Sequence, residues 1–166
     1  MVKIKYIIIA VLMVIIGIWA AIYFFQNEEK KVRKQFNLLS EWVSKAPGEN
    51  TFAMVQKIKN IGTLFPENCE LKVPVYSISG SYTREEITGY ATRGRALFSQ
   101  LYLKFYDLHI AFSEKEVAKV TLTAKLTGRS TLGENVDETH ELECLLKKIE
   151  NKWLFSAFEV VEVLKK

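Results

Sequence analysis

The block YIIIAVLMVIIGIWAAIYFF, Tyr6 to Phe25, contains neither a charged residue nor a proline. As a helix rising about 1.5 Å per residue it covers the roughly 30 Å hydrocarbon layer of a bilayer. The run exceeds the usual apolar core of a cleaved leader. The small residues Ala20 and Ala21 are followed by Ile22, Tyr23, Phe24 and Phe25 instead of a polar start, and the aromatics suit a membrane interface. An uncleaved single-pass anchor over residues 1–27 is therefore expected, with one domain in residues 28–166. Lys3 and Lys5 favour holding the short end inside, while Lys30, Lys31, Arg33 and Lys34 pull the other way. The layout of a short tail before a long globular part favours a domain outside the cytoplasm.

Net charge is +4, but many of its lysines flank the apolar block or close the chain at Lys165 and Lys166. Basic residues there have lipid headgroups as their nearest anionic partner, and no recognition motif or basic stripe with stacking aromatics points to nucleic acid. Two histidines and two cysteines without close ligand spacing predict no metal site. No glycine-rich phosphate loop or nucleophile turn appears, so no cofactor is expected.

Beyond the anchor, Val32, Phe36, Leu39 and Val43 recur at helical spacing, with Leu38 and Trp42 widening the face, until Pro47 and Gly48. Phe52, Val55, Ile58 and Ile61 predict a second helix, capped by Asn50 and ending before Gly62. Leu71, Val73 and Val75 then alternate, so a strand follows, and Pro74 marks it as an edge or bulge. In GSYTREEI, Thr83 precedes Glu86 by three residues, which reads as a capping box opening a third helix. Ile87, Tyr90, Ala91, Leu97, Phe98 and Leu101 continue that helix at its spacing.

The remainder reads as strands. In LYLKFYDLHIAF the apolar phase slips near Tyr106 and Asp107, as a bulge requires. EVAKVTLTAKLTGRS alternates cleanly, STLGENVDE is a loop, and THELECLLKKI turns at Glu150 and Asn151 into KWLFSAFEVVEVL. Long strands on short turns predict a curved antiparallel sheet.

The order helix, helix, strand, helix, then long strands resembles the nuclear transport factor 2-like superfamily. LFPENCELKVP, GSYTREEI and NKWLFSAFEV carry the likeness. The resemblance implies an α+β cone-shaped roll, three helices packed on a curved sheet, the fold shared by steroid delta-isomerases and SnoaL-like cyclases. It also implies that any chemistry sits inside the cone, where such enzymes place an Asp or His, sometimes with a Tyr. Asp107, His109 and Tyr106 are the catalytic candidates, and Tyr90, Tyr106, His140 and Glu159 the pocket candidates; none completes a catalytic set. His140, next to Glu141, reads as a rim residue.

Cys69 and Cys144 are expected as buried thiols, because in this fold the last strand lies between theirs. The incomplete set and the tether point to a non-catalytic interaction or assembly module of the cell envelope. Its partner would be another protein or a second copy, met through the outer sheet face around Thr121 and Thr123. The alternative is a binder or isomerase-type enzyme using the cone for a small apolar ligand.

Overall fold

Between Tyr6 and Val43 the chain contains no proline and one glycine, Gly17, so nothing obliges a helix to stop at the end of the apolar block. In the computed structural model, which describes residues 2–74 and 77–161, helix α1 runs unbroken over Val2–Val43. The two helices expected on either side of residue 27 are thus one. Glu28 with Lys31 and Glu29 with Arg33, each pair 2.8 Å apart, staple the helix across that point. Where the apolar run ends, the helix acquires an inner face: Glu28, Val32, Phe36 and Leu39 are all buried, while residues 11–25 before it are exposed.

Helix α2 (Thr51–Gly62) starts at Asn50, whose side chain accepts from the Ala53 N–H at 2.8 Å. Only its second half reaches the core. Phe52 and Val55, expected on the inner face, are exposed, because α2 packs on α1 and on helix α3 (Arg84–Ala96) instead of lying across the sheet. The capping box that opens α3 is complete: Glu86 N–H donates to Thr83 Oγ1 at 3.2 Å, and Thr83 N–H donates to Glu86 Oε2 at 2.8 Å. The helix ends at Ala96. Phe98 and Leu101, expected to prolong it, belong to strand β3 (Phe98–Glu114), since pairing with the neighbouring strand outweighs a spacing that fits either structure.

Strands β1 (Asn68–Val73), β2 (Ile78–Thr83), β3, β4 (Val117–Ser130), β5 (Asn135–Ile149) and β6 (Lys152–Val161) form one sheet in the order β2-β1-β6-β5-β4-β3. Strand β2, ISGSYT, lacks apolar alternation and was not expected; as an edge strand it needs only one ladder, to β1. The expected inward Val75 lies outside the described residues. The sheet is mixed, not wholly antiparallel, because the β1 hairpin returns beside β6 in parallel. The expected bulge is present: register shifts between Tyr106 and His109, and Asp107 takes a φ of 54°. Gly128 is obligatory at the tight β3 and β4 crossing, where a Cβ would lie 2.6 Å from the Gln100 carbonyl oxygen. Three helices on a six-stranded curved sheet make the α+β cone.

The core lies between α1 and the sheet. Phe36 stands edge-on to Phe105 and Phe155 at 5.4 and 4.9 Å, and Trp153 and Leu146 are buried beside them. Cys69 and Cys144 are free, buried, and separated by β6 in the strand order. Burial pushes the Cys69 thiol up to about 12, with Glu70 adding to it, and raises Cys144 likewise, so neither is a thiolate near neutrality.

Candidate functional site, the concave face of the sheet

Strand register assigns each residue to a face. On β4, Ala118, Val120, Leu122, Ala124 and Leu126 face the helices; their partners on β5 are Leu146, Cys144, Leu142, His140 and Glu138. On β6 the same face carries Trp153, Phe155, Phe158 and Val160. Exposure changes along this face. At the end where α1 enters, Ala118, Val120, Leu146, Cys144, Trp153 and Phe155 are at most 1% exposed. Toward the other end Leu122 and Ala124 on β4 stay buried, while Leu126, Leu142, His140, Glu138, Phe158 and Val160 are half-buried. The helices close one half of the cone and leave the other partly open.

The open half carries one titratable pair on β5. His140 Nε2 lies 3.4 Å from Glu138 Oε2, with side-chain exposures of 39% and 44%. Two residues apart on one strand face, they meet because the strand period is two. An imidazole with a carboxylate partner can take or give a proton, and the carboxylate orients the ring.

The other sequence candidates are placed elsewhere. Tyr106, Asp107 and His109 lie on the opposite, outer face of β3 and are exposed. Asp107 and His109 share a shallow groove of about 380 Å³ with Thr121, Thr123 and Glu141. Glu159 is also on the outer face, ion-paired with Lys72. Tyr90 is 44% exposed on α3, its ring edge-on to Tyr82 at 5.8 Å with the Arg93 guanidinium 4.9 Å above it. The structure brings His140 to Glu138 and Asp107 to His109; Tyr90 and Glu159 join neither pair. The outer face does not have the uncharged centre expected for a symmetric pair. Thr121 and Thr123 stand opposite Glu143 and Glu141, and Lys119 and Lys125 flank them.

Two buried ion networks were not anticipated. Glu28 accepts from Trp153 Nε1 at 2.7 Å, from Lys31 at 2.8 Å and from Lys148 at 3.0 Å. Burial alone would raise its carboxyl, but the hydrogen bonds from Lys31, Lys148 and Trp153 outweigh that and hold it at about 2. The network fastens α1, just past the apolar run, to β5 and β6. Arg95, 1% exposed, is bound by Glu49 and donates to the carbonyls of Trp42 and Ser44 at 2.7 and 2.8 Å, closing the C-terminus of α1. Lys57 completes that site at 2.7 Å from Glu49. Burial opposes ionisation of Glu49, but Lys57 and Arg95 hold its carboxyl below the usual range. A buried Glu on the apolar stripe of a helix was the available sequence signal for Glu28; no local pattern signals Arg95.

No family model matches the sequence, and no curated protein matches it. Solved structures do. A proposed scytalone dehydratase from Novosphingobium aromaticivorans matches with a TM-score of 0.66 at 15% identity, covering 84% of this chain and 86% of the other. A proposed dehydratase of the nuclear transport factor 2-like family from Streptomyces avermitilis gives 0.65 at 12%, covering 84% and 99%. A hexachlorocyclohexane dehydrochlorinase from Novosphingobium barchaimii gives 0.65 at 9%, covering 82% and 86%. The chain has the nuclear transport factor 2-like fold.

Proposed function

We propose that this chain is a membrane-anchored binding domain that takes a small, largely apolar molecule into the open half of its cone. The observation that carries this is the exposure gradient on the concave face, from sealed core at Trp153 and Phe155 to half-exposed Leu126, Leu142, Phe158 and Val160 around the Glu138–His140 pair. An apolar lining with few polar groups is what a small-molecule site requires. Neighbours of the same fold named for dehydration and dehydrochlorination act on small molecules, which favours this reading over a protein-assembly role.

Helix α1 is long and apolar enough to cross a membrane. The anchor occupies residues 6–25, and the domain lies outside the cytoplasm, in keeping with Lys3 and Lys5 at the short end. Because α1 runs without a hinge into the Glu28 network, the open half is held at a set distance from the bilayer.

The test is a melting series on the full-length protein in lipid nanodiscs with naphthols and decalin-sized ketones, apolar bodies with one oxygen for His140 to contact. A saturable rise in melting temperature is expected, and Leu142→Trp, which fills the opening, abolishes it. Shifts that survive both Leu142→Trp and His140→Leu, or no saturable shift with any probe, sink the reading.

The Glu138–His140 contact supports a second reading on the same site, proton transfer to or from the ligand with His140 as acid or base. His140→Asn would then keep ligand-induced stabilisation and lose turnover. Retained turnover in that variant counts against catalysis there.

A further inference from the structure

Beside α1, on the side away from β3, a groove of about 350 Å³ runs between the helix and the β5–β6 turn. Its floor is Leu38, Trp42 and Leu64; its charged lining is Lys31, Lys34 and Lys152, and no acidic residue lines it. Lys31 is tied to Glu28, whereas Lys34 and Lys152 have no ion-pair partner among the described residues. The groove thus gathers lysines from α1 and from the start of β6 along one lining, which favours an anion there.

Height along α1 says which anion is at hand. If the hydrocarbon layer ends near Phe25, the backbone of Lys31 stands about 9 Å beyond it and that of Lys34 about 13 Å. The headgroup layer extends roughly 5–8 Å past the hydrocarbon. A lysine reaching back along the helix brings its ammonium into that layer. Lys152 is held near the same height, because its neighbour Trp153 donates to Glu28.

We infer that the groove formed by Lys31, Lys34 and Lys152 binds the phosphate of an anionic phospholipid in the leaflet from which α1 emerges. The inference rests on the membrane-anchor reading and is independent of what occupies the cone. Bound there, the lipid ties the domain to the bilayer at a second point and limits its rotation about α1.

The test uses the full-length protein in nanodiscs of phosphatidylcholine alone and with about 20% phosphatidylglycerol, each melted at low and high salt. Phosphatidylglycerol should raise the melting temperature by about 2–5 °C, and salt should reduce the gain. Lys34→Gln with Lys152→Gln should remove the gain. The control pair Lys115→Gln with Lys147→Gln, an equal loss of exposed charge outside the groove, should keep it. Gln35→Glu, which puts an acid in the groove, should also remove it and serves if the lysine pair melts abnormally in phosphatidylcholine. Equal gains in the groove and control variants, or no gain in the wild type, overturn the inference. So does inorganic phosphate reproducing the gain in phosphatidylcholine discs, which would mark a free-anion site. Failure of the protein to co-migrate with nanodiscs overturns the anchor and this inference together, and leaves ligand binding in the cone to its own test.

Discussion

The two halves of the concave face are built from the same strands and differ in what covers them. Where α1 enters, Phe36 fills the space over Phe105 and Phe155, and Glu28 locks the helix to Trp153 and Lys148. Further along β4, β5 and β6, past the buried Leu122 and Ala124, the same inward phase continues as Leu126, Leu142 and Val160, but the side chains are half-exposed. Alternation sets which side a residue faces; the length and angle of the helices set whether anything lies over it. The closed half supplies stability, and the open half is where the proposed ligand would enter without unfolding the domain.

The comparison predicts unequal costs. Phe155→Ala, at a fully buried ring with aromatic neighbours on several sides, should cost about 3–5 kcal/mol in urea unfolding. Leu142→Ala, an inward residue of the open half, should cost less than half as much. Equal costs would show that the second half is as tightly packed as the first.

Next in size is the pH dependence of the clamp on the closed half. The Glu28 carboxyl is held at about 2 against an ordinary value of 4.5, so the unfolded chain binds its proton first as pH falls. Its contribution, about 3 kcal/mol, is complete above pH 4.5 and is lost as pH falls from there toward 2. Glu28→Gln should flatten that part of the stability profile and lower stability at pH 7. A variant whose acid limb matches the wild type would mean that other carboxylates control it.

The cap of α3 belongs to neither half and calibrates both. Thr83→Ala removes the acceptor for the Glu86 N–H and should cost about 0.5–2 kcal/mol, read from the urea midpoint. A change below a few tenths would show that the neighbouring β2 strand holds the helix start unaided.

The smallest stability effect is expected where the functional effect is largest. His140→Leu and Glu138→Gln, both on the open half, should shift the melting temperature little yet weaken ligand-induced stabilisation. Asp107→Asn on the outer face should change neither. Loss of ligand response in Asp107→Asn would move the site to the outer groove with His109.

Much of the local structure was legible because it depends on near neighbours. The capping box needs only Thr83 and Glu86, the bulge only the phase slip at Tyr106 and Asp107, and the inward phase of β4 only its alternation. Strand β2 was not legible, since an edge strand of small polar residues has no apolar period to read. The end of α3 was not legible either, because Leu97, Phe98 and Leu101 satisfy a helical spacing while Phe98 and Leu101 pair with β4. For the site, His140 could be named, but its neighbours could not. Glu138 gained its meaning only when register put both on the face that the helices leave partly open.

The sequence by itself determined the apolar stretch of α1, the caps, the phase of the long strands and, through their order, the cone. These follow from periodicity and from contacts within a few residues, which any reading of the chain contains. Tertiary structure alone decided that α1 continues unbroken past the apolar run onto the sheet, that Glu28 meets Trp153 and Lys148, that Arg95 closes the end of α1, and that Lys152 stands with Lys31 and Lys34. The paired residues are far apart in the chain, and the free energy of pairing Glu28 and Arg95 with their partners exists only once the fold has brought those partners to them and buried both.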